Sequence, residues 1–159
     1  MKINFYTGTR ADYGKLFPLI KLVKKKAQID FTIFVGGTHW TSRASFSGNE
    51  ALKTYPNESV IVGNFNSISG NLSSLCGQTL SFFSEKSILT EGDLAVVHGD
   101  RADALAFAIA SKTQNLKILH IEGGEQSGTI DNTYRKLISH LSDFHVVKDE
   151  ECKTHLSTL

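Results

Sequence analysis

The stretch that decides the fold is Leu94-Ala95-Val96-Val97-His98-Gly99-Asp100-Arg101, answered further on by Lys117-Ile118-Leu119-His120-Ile121-Glu122-Gly123-Gly124-Glu125. Each is a short apolar run that stops at a glycine and an acid, so each reads as a buried strand with Asp100 or Glu122 emerging at its carboxyl end. Ala102 to Lys112, alanine-rich and helical in spacing, lies between them, and the three together make a strand-helix-strand unit of a parallel sheet. In open α/β sheets the ligand crevice lies outside the carboxyl ends of the strands.

Toward the amino terminus, Ile3 to Thr7 predicts a first strand. Tyr13 to Lys26 predicts an amphipathic helix with Leu16, Leu19, Ile20 and Val23 on one face and Pro18 early, in about the first turn, where its missing donor is best tolerated. Phe31 to Val35 is a second strand ending at Gly36-Gly37, Thr38 to Gly48 a long loop, and Val60 to Val62 a short third strand. Ser67 to Leu89 has helical spacing at Leu72, Leu75, Leu80 and Phe83, weakened by Gly70 and Gly77. Beyond the deciding stretch come a helix from Asp131 to Leu141, a last strand from Phe144 to Val147 and a further helix from Asp149 onward. The alternation specifies an α/β fold: a doubly wound, mostly parallel Rossmann-like sheet with its first and fourth strands adjacent at the switch point. That adjacency predicts Arg10 and Asp100 side by side.

With 159 residues, 40% of them hydrophobic, the chain is expected to form one domain with its own core. A net charge of +1 and the absence of like-charge runs longer than Lys24-Lys25-Lys26 argue against nucleic-acid or membrane partners. That lysine run suits a helix end. Cys76 and Cys152 stand far apart without a second ligand at metal spacing, which favours a reducing compartment over a zinc site or disulfide framework. The amino terminus lacks signal-peptide character, and no run approaches the ~18 apolar residues of a membrane span, so a cytoplasmic protein is expected. Asp149 to Leu159 reads as a helix with no sequel, and a half-protein is expected.

Three signals carry chemistry. Thr7-Gly8-Thr9-Arg10-Ala11-Asp12-Tyr13-Gly14-Lys15 places a glycine turn and two cations after the first strand, suited to an anion, although it is neither G-x-G-x-x-G nor a Walker A loop and an ordinary turn would look alike. Asp100 and Glu122 meet the need of proton-transfer chemistry for paired acids of separated pKa. Asp100 serves equally as a cap for the helix near Ala102, and Asp131 as a cap after Ser127-Gly128-Thr129-Ile130. Glu122, between an apolar strand and two glycines, has no comparable structural use. His98 and His120 read first as packed histidines bonded to backbone, and no further His or Cys completes a metal set. Ser127 has no G-x-S-x-G elbow, which removes the serine-nucleophile reading.

Taken together, the Thr7 to Lys15, His98 to Arg101 and His120 to Asp131 motifs resemble the UDP-N-acetylglucosamine 2-epimerase family, and more narrowly its hydrolysing branch. The other branch typically carries Pro-Glu after Gly-Thr-Arg, where this chain has Ala11-Asp12. The resemblance implies that residues 1–159 are the amino-terminal Rossmann-like lobe of a two-lobe fold of glycosyltransferase B type, the second, nucleotide-binding lobe being absent from this chain. It implies anti elimination of UDP to a glycal, then hydration to N-acetylmannosamine for sialic-acid-type synthesis, without a cofactor or metal. Asp100, Glu122 and Asp131 match the acidic positions, while Gly8, Arg10, Lys15, His39, Arg101 and His120 would bind substrate. The Gly36-Gly37-Thr38-His39-Trp40 loop, with Arg43, follows the family only loosely. A nucleotide-sugar substrate and a homo-oligomer are the expected partners. The rivals are a glycosyltransferase of the same architecture, for which Asp131 would matter little, and a lobe that folds, associates and catalyses nothing.

Overall fold

The computed structural model describes residues 1–26, 28–37, 60–62, 71–85 and 88–159, without the side chains of 60–62 and 85. Its strands are β1 (Lys2–Thr7), β2 (Asp30–Val35), β3 (Val60–Val62), β4 (Leu94–His98), β5 (Lys117–Ile121) and β6 (Phe144–Val146). Its helices are α1 (Arg10–Lys24), α2 (Leu72–Glu85), α3 (Ala102–Thr113), α4 (Ile130–Leu141) and α5 (Glu150–Ser157). The described strands form one sheet in the order β3-β2-β1-β4-β5-β6, every neighbouring pair parallel. The order reverses between β1 and β4, as the doubly wound reading requires.

The inner strands β1 and β4 read as apolar runs because both faces are covered, and the two-residue alternation sorts side chains into two cores, whereas the edge strand β6 is exposed. Ile3, Phe5, Ile33, Val35 and Val96 pack with Tyr13, Leu16, Ile20 and Val23 of α1. Tyr6, Phe34, Ala95, Val97 and Ile118 pack on the other face with Leu75 and Phe83 of α2, Phe107 of α3 and Ile138 of α4. Tyr6 stacks on Phe107 with centroids 5.2 Å apart, and Phe83 meets Phe107 at 4.8 Å. Alanines dominate α3 because it is enclosed, with Ala102, Ala104, Ala106, Ala108 and Ala110 all buried. Small side chains let a helix approach its neighbours closely.

Helix α1 starts about one turn earlier than its apolar spacing implies. Thr9 is its extended N-cap, with Oγ1 accepting the Asp12 N–H at 3.1 Å. Pro18 therefore sits well inside the helix and not in its first turn. It deprives the Gly14 carbonyl of a helical donor, and Gly14 is exposed, so water can replace it. Gly77 is accommodated within α2, whereas Gly70 and the Thr38 to Gly48 loop lie outside the described residues. Asp149 caps α5, its carboxylate accepting from the Cys152 N–H at 2.9 Å.

Candidate active site

Three chain segments leave the sheet side by side at the β1/β4 switch point. His98 is in register with Ile121, and the Gly99 N–H donates to the Ile121 carbonyl at 3.0 Å, so the turns after β4 and β5 are stitched together. Glu122, the first residue past β5, has φ +65°, and its N–H donates to Val146 of β6 at 2.9 Å. A non-glycine residue in the left-handed region costs about 1 kcal/mol or more, which glycine would avoid. Retaining a glutamate there, beside Gly123 and Gly124, points to use of its side chain.

Lys15 of α1 donates to both oxygens of Glu122, at 2.7 and 2.8 Å. On the opposite, buried side, His98 Nε2 lies 3.0 Å from Glu122 Oε2, an ion pair when the ring is protonated. The other ring nitrogen, Nδ1, is 3.1 Å from Asp12 Oδ1, and Thr9 Oγ1 donates to Asp12 Oδ2 at 2.7 Å. Asp12, His98, Glu122 and Lys15 thus form a row of carboxylate, imidazole, carboxylate and ammonium from buried to exposed. Partial burial pushes the Glu122 carboxyl up, but the Lys15 hydrogen bonds and the adjacent His98 ring outweigh it and hold it below the ordinary glutamate range. Asp12 behaves alike: burial opposes its ionisation, and the bonds to His98 and Thr9 prevail.

Asp100 does not cap α3, whose N-cap is Arg101 without a side-chain cap bond. Its carboxylate instead pairs closely with the guanidinium of Arg135, a buried residue of α4 that also donates to the Glu125 carbonyl at 3.1 Å. Asp131 stands one turn before Arg135 on the same helix face and accepts from Thr129 Oγ1 at 3.1 Å. The N-cap of α4 is Thr129, so the capping alternative for Asp131 does not hold either.

Three expectations are corrected. The structure does not pair Arg10 with Asp100: Arg10 is exposed and makes no ion pair among the described residues, while Asp100 turns to Arg135. At the switch point it is Asp12 and Lys15, one and two turns into the same segment, that reach β4 and β5. Second, His120 has no ring nitrogen free for substrate. It is fully buried, with Nε2 2.8 Å from the Gly99 carbonyl and Nδ1 3.0 Å from Ser139 Oγ, and burial lowers its pKa to about 4. As a neutral ring it fastens the Gly99 turn from behind. Third, the glycine turn at Gly8 meets a carboxylate of the protein itself. A Cβ on Gly8 would lie 2.2 Å from Asp103 Oδ2, and one on Gly37 2.5 Å from the same atom. Asp103 accepts from Tyr6 Oη at 3.1 Å and from Arg101 Nε at 3.0 Å, so Arg101 is engaged with Asp103. His39 lies outside the described residues.

Asp12, His98 and Arg135 were not among the candidate residues read from the sequence. Their only signals were the position of Asp12 inside the first motif, that of His98 beside Asp100, and the i+4 spacing of Arg135 from Asp131.

Comparison with known proteins gives the family and the fold. Residues 21–159 match the family model described as UDP-N-acetylglucosamine 2-epimerase. The chain is 35% identical over 156 residues to the UDP-N-acetylglucosamine 2-epimerase of Neisseria meningitidis serogroup B, covering 98% of this chain and 41% of that protein. It is 34% identical over 160 residues to the UDP-N,N'-diacetylbacillosamine 2-epimerase (hydrolyzing) of Legionella pneumophila, covering 98% and 42%. The chain therefore spans about two-fifths of the curated relatives it matches. The fold is also that of the crystal structure of UDP-GlcNAc 2-epimerase from Neisseria meningitidis bound to UDP-GlcNAc, with a TM-score of 0.79 at 21% identity over 99% of this chain and 43% of that one. On sequence and fold together, the chain belongs to the UDP-N-acetylglucosamine 2-epimerase family.

Proposed function

We propose that this chain is the amino-terminal, acid-bearing lobe of a hydrolysing UDP-N-acetylglucosamine 2-epimerase of glycosyltransferase B architecture, acting in the cytoplasm in sialic-acid-type sugar synthesis. The observation that carries the reading is Glu122, presented by a left-handed backbone at the sheet edge and bonded through both oxygens to the half-exposed ammonium of Lys15. Ala11-Asp12 in the first motif, together with the hydrolysing Legionella relative, supports the hydrolysing branch.

Below its ordinary pKa range, Glu122 is ionised at neutral pH and can accept a proton. Lys15 and Arg10 stand where a sugar diphosphate would bring negative charge. An arriving diphosphate competes with Glu122 for Lys15, and loss of that counter-ion makes Glu122 the stronger base. Removal of the proton on carbon two as UDP leaves carbon one yields the glycal. Water then adds at carbon one while a proton returns to carbon two on the opposite face, giving N-acetylmannosamine. Asp100, oriented by Arg135, and Asp131 share these proton transfers with Glu122. The second lobe would supply the remaining nucleotide contacts.

The test follows UDP-N-acetylglucosamine in deuterated water by proton NMR, using this chain alone and joined to the carboxyl-terminal lobe of the Neisseria relative. N-acetylmannosamine with deuterium at carbon two and free UDP is the expected product of the joined form. Sugar transfer without deuterium would replace this reading with a glycosyltransferase, and no reaction in either form would replace it with an inert lobe.

A further inference from the structure

Building on the epimerase reading, we propose that Asp12 and His98 form a proton relay behind Glu122: Asp12 holds the imidazole with Nδ1–H toward α1, and Nε2 takes up and returns the proton that Glu122 exchanges. The geometry is that of a carboxylate orienting a histidine toward a reacting group. The His98 side chain is only 6% exposed, Nδ1 lies 3.1 Å from Asp12 Oδ1 and Nε2 lies 3.0 Å from Glu122 Oε2. An ionised carboxylate can only accept, so the bond to Asp12 requires the hydrogen on Nδ1; Nε2 then faces Glu122 with a second hydrogen while that carboxylate is ionised and with its lone pair once Glu122 is a carboxylic acid. Asp12 is itself fixed, since Thr9 Oγ1 donates to one of its oxygens while accepting its N–H.

Glu122 has two partners of different kinds: an exposed ammonium that an anionic ligand can draw away, and a buried imidazole that it cannot. Among the described residues no group other than Glu122 is paired with Nε2, so nothing else there competes for its proton. When Glu122 has become a carboxylic acid, transfer of its proton to Nε2 gives carboxylate and imidazolium with the proton count unchanged, and the reverse step reloads the acid. Asp12 and Lys15 face this row from α1, Arg101 acts on Asp12 from the turn after β4, and His120 approaches from β5. Asp12 and His98 both act through Glu122 and are positioning residues.

The test is a two-bond proton-nitrogen correlation of the histidine side chains in the nitrogen-15-labelled chain, for wild type, Asp12→Asn and Asp12→Glu, above the pH at which the His98 ring loses its first proton. In wild type the remaining proton should sit on Nδ1. Asp12→Asn should shift the tautomer ratio toward Nε2–H by about tenfold, the scale of one charge-assisted hydrogen bond, and Asp12→Glu should restore it. An Nε2–H ring in wild type overturns the proposal without any variant, and so does an unchanged ratio in folded Asp12→Asn. In the joined, turning-over form, Asp12→Asn should lower kcat about ten- to hundredfold with KM little changed. The tautomer is read without turnover, so absence of epimerisation beside an Nδ1–H ring would sink the epimerase reading and leave the Asp12-His98 coupling standing.

Discussion

Glu122 and Asp103 are acids at the same edge of one sheet, and their surroundings drive them in opposite directions. Asp103 is fully buried beneath Gly8 and Gly37, and burial raises its pKa despite the Arg101 charge and the Tyr6 hydroxyl. Glu122 is partly open, and Lys15 with His98 lowers its pKa despite some burial. Desolvation dominates where donors are few, and donors dominate where water can still reach. The enclosed acid braces the turn and the open one is left for chemistry.

The largest effect expected from this contrast is on turnover. Glu122→Gln keeps the shape of the open acid and removes its titration, so product formation in a form carrying both lobes should fall roughly hundred- to ten-thousand-fold. A retained wild-type rate would put the chemistry elsewhere.

The enclosed acid is tested through its neighbour. Gly8→Ala drives a methyl to 2.2 Å from an Asp103 oxygen that Tyr6 and Arg101 hold, and should cost about 2–4 kcal/mol in urea unfolding. A neutral result would show that Asp103 can move aside and that the turn is not braced.

Asp143, before β6, sharpens the rule of donors against burial. Desolvation pushes it up, but the Ile118 N–H and the ammonium groups of Lys117 and Lys112 hold it at about 2. Because its folded value lies below the unfolded value of about 4, its contribution is complete above pH 4 and fades as pH falls toward 2. Asp143→Asn should therefore lower stability by about 1 kcal/mol near neutral pH, with the gap to wild type closing over that acid range in thermal melts. A gap independent of pH would assign the loss to packing.

The smallest expected effect is on the stability of the open pair itself. Lys15 is about half exposed, so Lys15→Met should change unfolding free energy by no more than about 0.5 kcal/mol. The same variant should move the Glu122 carboxyl upward in a carbon-13 titration. An unmoved carboxyl would leave His98 as its controlling partner.

Much of the fold was legible because strands buried on both faces must be apolar throughout, and the runs ending at His98 and Ile121 leave their acids at the sheet edge. The start of α1 was misread because Thr9 and Asp12 are polar and carry no apolar period, although together they form its cap. Asp12, His98 and Arg135 were not read as site residues because each owes its role to a partner distant along the chain, 86 residues between Asp12 and His98 and 35 between Arg135 and Asp100.

The sequence by itself determined the alternation of strands and helices, the parallel sheet and the edge at which Asp100 and Glu122 emerge, since these follow from local periodicity and chain connectivity. Only the tertiary structure decided which cation meets which acid. Lys15 found Glu122, Arg135 found Asp100 and Arg101 turned to Asp103, because ion pairing and desolvation depend on distances across the switch point that spacing along the chain does not encode.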